Sequence, residues 1–373
     1  MKQFIYADNA ATTKLDNEAF EAMTKYLLNE YGNASQLYSF AREPKKALAE
    51  ARQIIAAAIN ALPEEIFFTS GGTESDNWAI KGSAFLDANK RATITSSIEH
   101  HAVLKACESI ERLGYPVAYI NPDSKGFITP EAVESIITDN TRLVSIMYSN
   151  NEIGTIEPIK ELAQVAHRHG ALFHTDAVQV IGHIGIDVKA LDVDMLSASA
   201  HKFNGPKGIG FLYVRKGANI ASFSDGGSQE SGHRAGTENI ASIVGMATAL
   251  RNNIEKLSEN EAHILKLEHL LLSGLSDFDY VRNGAENHVP GNINISFRNQ
   301  DGETLLHRLD LYGICVSTGS ACDSVNTQVS HVLKAIGLDE CYAKGTIRIS
   351  LGKDNTEEEI QAIVSALKKI IKL

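Results

Sequence analysis

Short apolar runs alternate with amphipathic helical patterns through the first 240 or so residues, and this alternation restricts the fold more than any other feature of the chain. Ile66-Phe67-Phe68-Thr69-Ser70, Thr93-Ile94-Thr95, Val117-Ala118-Tyr119-Ile120 and Leu143-Val144-Ser145-Ile146-Met147 read as strands. So do Ala171-Leu172-Phe173-His174, Asp194-Met195-Leu196-Ser197 and Gly210-Phe211-Leu212-Tyr213-Val214. Between them lie helical patterns, such as Ile159, Leu162, Ala163 and Ala166 on a single face. Strands alternating with helices predict an α/β fold with a mostly parallel sheet covered on both faces.

The pattern changes after about residue 238. A long helical stretch from about Ile240 to Leu275 comes first, followed by the alternating strand Asn292-Ile293-Asn294-Ile295-Ser296-Phe297. A helix from about Gly302 to Tyr312 and the strand Gly345-Thr346-Ile347-Arg348-Ile349-Ser350 come next. Thr356 with Glu359 three residues on forms a capping box for a last helix, whose apolar face is Ile360, Ile363, Val364, Leu367, Ile370 and Ile371. These elements predict a second, smaller α+β domain. At 373 residues and 43% hydrophobic, the chain can bury more than one core.

The formal net charge of -11 gives no nucleic-acid footprint. The four cysteines, Cys107, Cys315, Cys322 and Cys341, include no CxxC pair and are too few for a disulfide framework. The N-terminal residues lack the apolar core of a signal peptide, and no run of about 18 apolar residues could span a bilayer. The chain therefore reads as a cytoplasmic protein with no membrane partner.

Lys202 lies in Ser199-Ala200-His201-Lys202-Phe203-Asn204-Gly205-Pro206, a Gly/Pro turn between two strands. Open α/β sheets place ligands at such strand ends, although a lysine in a turn is by itself an ordinary surface residue. Three other segments give it company. Ser70-Gly71-Gly72-Thr73 leads from a strand into a helix, where backbone N–H groups and glycine suit a phosphate. Asp176, in His174-Thr175-Asp176, ends another strand and is placed to pair with a protonated pyridine nitrogen, with Gln179 near the ring hydroxyl. Glu99-His100-His101 starts a helix. One of the two histidines is expected to stack on a cofactor ring, since neighbours on a helix point in different directions.

Together these segments resemble the class V aminotransferase family of pyridoxal phosphate enzymes, and within it the cysteine desulfurases of the NifS/IscS type. The resemblance runs through the whole chain. It includes Tyr6-Ala7-Asp8-Asn9-Ala10-Ala11-Thr12-Thr13, Asn150-Asn151-Glu152-Ile153-Gly154 and Arg234-Ala235-Gly236-Thr237-Glu238-Asn239. It implies the fold type I of pyridoxal phosphate-dependent transferases, with a seven-stranded large domain at 15–260 and a small domain formed by 1–14 and 261–373. Pyridoxal 5'-phosphate is the implied cofactor. Lys202 matches the lysine that binds it covalently, Asp176 the pyridine-nitrogen partner and His100 the ring-stacking histidine. Gly72, Thr73, Ser199 and His201 match phosphate ligands, and Asn151 and Gln179 lie near the ring hydroxyl. Thr237 matches a phosphate ligand supplied by the neighbouring subunit, which implies a homodimer. Arg348 matches the arginine that grips the substrate carboxylate. Asn151 and Asn33 resemble further substrate-side residues.

Among the cysteines, Cys107 shares a helical face with Val103, Leu104 and Ile110, Cys315 sits in an apolar strand, and Cys341 lies in a turn. Cys322 differs, in the small, polar stretch Ser317-Thr318-Gly319-Ser320-Ala321-Cys322-Asp323-Ser324. The resemblance makes it the nucleophile that takes sulfur from L-cysteine as a persulfide, and implies transient iron–sulfur contact there during cluster assembly. Tyr38, Ser231 and Asp323 depart from common family residues, and Asp323 should raise the neighbouring thiol pKa. The chain ends at Leu373, where IscS-type enzymes continue with a tail that contacts an iron–sulfur scaffold. The sulfur acceptor, a scaffold or a thiolation enzyme, therefore stays open. So do a selenocysteine lyase-like activity and a non-catalytic sulfur-carrier or scaffold role on the same fold.

Overall fold

The computed structural model describes residues 4–86, 91–319 and 329–371. Its strands, among the described residues, are β1 (Ile5–Tyr6), β2 (Ile66–Thr69), β3 (Ala92–Ser96), β4 (Val117–Ile120), β5 (Thr141–Ser145) and β6 (Leu172–Asp176). They continue with β7 (Met195–Ser199), β8 (Gly210–Val214), β9 (Tyr280–Asn283), β10 (Asn292–Phe297), β11 (Ile314–Cys315) and β12 (Thr346–Ser350). The seven expected strands form one sheet in the order β2-β8-β7-β6-β5-β3-β4. β8 runs antiparallel to both its neighbours, and the other pairs are parallel. β2 therefore points the same way as β7, and six strands deliver their C-terminal ends to one edge.

Strand periodicity sends alternate side chains to opposite faces. Leu143, Met195 and Leu212 pack with Trp78, Val103 and Cys107 on one side. Val144, Leu196, Phe211 and Tyr213 pack with Ile55, Leu162 and Met246 on the other. Both faces are buried, which is why these strands read as nearly continuous apolar runs. β5 ends at Ser145 rather than at Met147, and Ile146 and Met147, read as strand from their apolar character, stay buried beyond it.

A separate core surrounds the second sheet, ordered β12-β10-β9 and antiparallel throughout. Ile293, Ile295, Ile347 and Ile349 meet Leu267 and Leu271 of helix Leu257–Gly274, and Ile360, Ile363 and Leu367 of helix Glu357–Ile371. The expected capping box is present: Thr356 Oγ1 accepts from Glu359 N at 3.3 Å, and Glu359 Oε2 accepts from Thr356 N at 3.2 Å. β1 joins this half of the molecule through parallel pairing with β11. The helix expected from Ile240 to Leu275 is broken at Lys256 into Ile240–Glu255 and Leu257–Gly274. The apolar pattern continues across the break, but Met246 and Leu250 belong to the first core and Leu267 and Leu271 to the second. Cys341 is the second residue of a short helix, Glu340–Ala343, capped by Asp339, rather than part of a plain turn.

Candidate active site

A cavity of about 240 Å³ opens at the C-terminal edge of the large sheet, where open α/β sheets bind ligands. Gly72, Thr73, His100, Asn151, Asp176, Gln179, Ser199, His201 and Lys202 all line it. They arrive from the ends of β2, β3, β5, β6 and β7, so the parallel strand direction is what brings them together.

Lys202 ends a single tight turn, Ala200–Lys202, directly after β7. The turn closes because Gly205 N donates to Ala200 O at 2.8 Å, and a Cβ at Gly205 would stand 2.7 Å from the Ala200 Cβ. Lys202 Nζ donates to the carbonyls of Ala10 and Ala11, the latter at 2.9 Å, which ties the N-terminal segment to the cavity. Gln179 Nε2 donates to the same Ala10 carbonyl at 3.1 Å.

The floor of the cavity is acidic. Asp176, at the end of β6, is 6% exposed and accepts from Val178 N at 2.9 Å. Burial pushes its pKa up to about 6, against the pull of the Val178 N–H and the Lys202 charge. Asp76, from the helix Gly72–Leu86, stands beside it in the same wall. Burial, then repulsion by Asp176, raises the Asp76 carboxyl well above the usual carboxylate range. Its Oδ1 has no hydrogen-bond partner among the described residues. Beneath them His174 is held between Ser145 Oγ at 2.8 Å and Ser197 Oγ at 2.9 Å. Burial lowers its pKa to about 3, so it stays neutral and does not offset the two carboxyls.

At the other end, the helix Gly72–Leu86 starts directly after β2, and its first-turn N–H groups have no preceding helical carbonyl to bond. A Cβ at Gly72 would lie 2.7 Å from Val178 Cγ2, so only glycine lets the helix start so close to the Asp176 turn. Ser199, the last residue of β7, is 4% exposed and faces this helix start, where a Cβ on Gly71 would stand 3.4 Å from its Oγ. The neighbouring His201 places Nδ1 3.2 Å from Thr12 Oγ1, and burial, then the charge of Lys202, lowers its pKa to about 4.

His100 caps the helix His101–Glu111, with Nδ1 accepting from Ala102 N at 3.2 Å. Burial, followed by the charge of Lys202, lowers its pKa to about 4, so the ring is neutral and carries its proton on Nε2. Glu99 beneath it accepts from Ser96 Oγ at 2.6 Å and Met147 N at 3.0 Å, and burial lifts its pKa to about 8.

A second cavity of about 120 Å³ adjoins the first and shares Lys202, His100, Asn151 and Gln179 with it. Arg348, on β12, forms part of its wall and is 2% exposed. Nη1 donates to Asn151 O and Nη2 to Asp8 Oδ1, both at 2.8 Å, while Nε has no hydrogen-bond partner among the described residues. The Asn151 loop is shaped by Asn150, whose Oδ1 accepts from Glu152 N and Ile153 N.

The sequence of this chain matches the aminotransferase class-V family over residues 5–363. The chain belongs to the aminotransferase class-V family. A cysteine desulfurase IscS of Dictyoglomus turgidum is 46% identical over 379 residues, covering 100% of this chain and 95% of that protein. A solved NifS-like protein superimposes with a TM-score of 0.94 at 40% identity, over 99% of this chain and 100% of its own. A structure of SspA in complex with cysteine gives a TM-score of 0.84 at 37% identity, over 94% of this chain and 100% of its own.

This class-V chain is a pyridoxal phosphate-dependent enzyme, and its own residues fit that cofactor. The buried Asp76 Oδ1 has no hydrogen-bond partner among the described residues, and the acidic floor of two carboxyls calls for a cation such as a protonated pyridine. The glycine-cleared helix start with Ser199 and His201 suits a phosphate. Lys202 lines the same cavity.

Asn33 and Thr237 are not brought to either cavity. The Asn33 side chain accepts from its own Ser35 N at 2.9 Å, and Thr237 is exposed on the loop before helix Ile240–Glu255. Cys322, expected both as nucleophile and as iron–sulfur contact, lies outside the described residues, as does Asp323. The nearest described residues on either side that line the second cavity are Gly319 and His331. Sequence reasoning missed Asp76. Its signal was its position one turn after Gly72 and Thr73 on the same helix, which puts it on the face those residues present. His101 was set aside because His100 precedes it, yet with His331 it lines the second cavity.

Proposed function

We propose that this chain is a cysteine desulfurase that converts L-cysteine to L-alanine and holds the sulfur as a persulfide on Cys322. The observation that carries this reading is the joining of two cavities. One fits pyridoxal phosphate, and the other is small, lined largely by residues with polar side chains, and bounded by Arg348 and by both flanks of the segment that contains Cys322. The relative from Dictyoglomus turgidum is named for the same activity. The described cysteines offer no rival. Burial raises the thiol pKa of Cys107 and of Cys315, and the Asp339 carboxylate raises that of Cys341. None of the three lines either cavity.

When bound, pyridoxal phosphate supplies an electrophilic carbon for the substrate amine and a ring that withdraws electrons from the substrate α-carbon. Lys202 Nζ would hold the cofactor covalently and, when free, would move the substrate α-proton. Asp176 would pair with the pyridine nitrogen and hold its proton. Gly72, Thr73, Ser199 and His201 would hold the phosphate, with Thr237 of a second copy completing the set in a homodimer. His100 would stack on the ring and move a proton at Nε2, and Gln179 and Asn151 would serve the ring hydroxyl. Arg348 takes the substrate carboxylate in place of its present bonds to Asp8 and Asn151, and Asn33 completes the substrate side. The Cys322 thiolate attacks the substrate sulfur: an S–S bond forms, the C–S bond breaks with its electron pair left to the β-carbon, and that carbon takes up a proton equivalent to the one Cys322 lost on ionising, so the α-amino acid product leaves with its carbon skeleton intact.

The large domain comprises 15–260 and the small one 1–14 with 261–373, a division supported by the two separate cores and the kink at Lys256. The sulfur passes to an acceptor protein, a scaffold or a thiolation enzyme, and transient iron–sulfur contact at Cys322 belongs to that step. Among the described residues no helix is long and apolar enough to cross a membrane. Cys322→Ala tests the reading directly. The variant should keep the visible absorbance of the lysine-bound cofactor and lose both alanine and sulfur release from L-cysteine. Sulfur release that survives the substitution would exclude the persulfide route and favour a selenocysteine lyase-like enzyme.

A further inference from the structure

In the second cavity, Lys202 and Arg348 account for two of the three groups of an α-amino acid, the amine and the carboxylate. The side chain of the substrate must then meet the remaining wall. That wall is formed by His101, His331, Glu152 and Gly319. Two histidines from distant segments converge there, with ring centroids 5.1 Å apart and planes at 38°. His101 opens the helix His101–Glu111, and His331 opens the helix His331–Ala335. Gly319 presses close enough that a Cβ on it would stand 2.8 Å from Glu152 Oε2, so a side chain there would crowd that carboxylate.

The tautomer of His331 follows from one bond. Its Nε2 lies 3.2 Å from the backbone carbonyl of Glu99, and a carbonyl can only accept. Nε2 therefore carries the hydrogen, and Nδ1 is the basic nitrogen of the neutral ring.

We propose that His331, with His101 against its ring, recognises the sulfur of the substrate, and that His331 Nδ1 accepts a hydrogen bond from the substrate thiol, whose S–H bond stays intact. An apolar side chain placed here would strip water from the imidazoles and return no hydrogen bond. This inference rests on the desulfurase reading and adds to it the residues that select the sulfur.

The test uses the holoenzyme and His331→Gln, whose amide can still donate to the Glu99 carbonyl but places no acceptor where Nδ1 stands. L-Alanine shares the amine and carboxylate of L-cysteine and lacks the sulfur. Changes in cofactor absorbance report the binding of both amino acids, the first by rapid mixing. The variant should bind L-cysteine about tenfold more weakly, the worth of one hydrogen bond, with L-alanine binding, cofactor content and melting temperature unchanged. Equal weakening of both ligands, or unchanged L-cysteine binding, overturns the proposal. Should His331→Gln fail to retain cofactor, His101→Leu on the other side of the same wall reads the same ratio of affinities. A wild-type holoenzyme that releases no sulfur from L-cysteine would instead sink the desulfurase reading, so the two failures are told apart.

Discussion

Arg348 Nη2 donates to Asp8 Oδ1 at 2.8 Å, joining β12 to the N-terminal segment that also receives Lys202. The guanidinium is nearly inaccessible, and its Nη1 is spent on the Asn151 carbonyl. A fixed fork between two oxygen acceptors is already oriented for a carboxylate, which would replace the Asn151 carbonyl and compete with the Asp8 carboxylate without a change of rotamer.

Arg348→Lys keeps the charge and removes the fork. The KM for L-cysteine should rise about 10–100-fold, the range expected when charged hydrogen bonds worth about 1.5–3 kcal/mol are lost. Cofactor affinity should not change, since the side chain borders the second cavity and not the first. Steady-state kinetics with a parallel cofactor titration separates the two.

Asp176→Asn removes the charge opposite the proposed pyridine nitrogen. Cofactor affinity should fall about 10–100-fold for the same class of bond, measured by equilibrium dialysis. The apoprotein should respond in the opposite sense. The folded Asp176 holds its proton up to about pH 6, well above its ordinary value of 3.8. Stability is therefore present below 3.8 and lost as pH rises toward 6. Apo Asp176→Asn should melt above the wild type near neutral pH and converge with it under acid.

Glu99 extends that argument to a group the chemistry does not use. Its folded pKa of about 8 against an ordinary 4.5 means that the wild type loses stability as pH rises from 4.5 to 8, by up to about 1.4 kcal/mol per pH unit, and no further above. Glu99→Gln can keep the Ser96 and Met147 bonds at its oxygen. Its melting temperature relative to the wild type should climb through that window and level off above it.

Much of this was legible because strand ends carry chemistry. Gly72, Asp176 and Lys202 each follow an apolar run and stand at a change of backbone direction, so the sequence marks them twice. What stayed hidden depended on tertiary placement. Asp76 looks like any polar residue in a helix until the Asp176 turn is packed beside it. His101 and His331 are 230 positions apart, and no periodicity links them. The helix break at Lys256 is invisible because the apolar pattern persists while the core it faces changes.

Gly72→Ala probes the packing under the proposed phosphate site. The added Cβ would meet Val178 Cγ2 at 2.7 Å, and valine has a stiff side chain that cannot swing away. Overpacking of this kind costs about 1–3 kcal/mol, and the helix start should shift away from Ser199. Both melting temperature and cofactor affinity should fall. Adding Val178→Ala should restore a large part of both, which a loss of glycine flexibility alone would not allow.

The loop that carries Thr237 is anchored by Glu230. This carboxylate accepts from Arg52 Nη1 at 2.9 Å, from Arg52 Nη2 at 2.7 Å and from Phe68 N on β2 at 2.9 Å. Its backbone lies at φ 45°, followed by Ser231 at φ 56°, a left-handed pair that side chains adopt only when held. The Glu230 side chain is 3% exposed, so Glu230→Gln leaves the Arg52 charge without its counterion in a desolvated place. Losing a partner from such a pair costs about 3–5 kcal/mol, and the melting temperature should fall accordingly. If Thr237 completes the phosphate site of a second copy, loosening this anchor should also weaken cofactor binding, although Glu230 touches neither cavity. Thr237→Ala should then lower cofactor affinity while leaving the melting temperature of the apoprotein in place. A Glu230→Gln protein that melts early but binds cofactor normally would separate the loop from the site, and with it the shared-site homodimer.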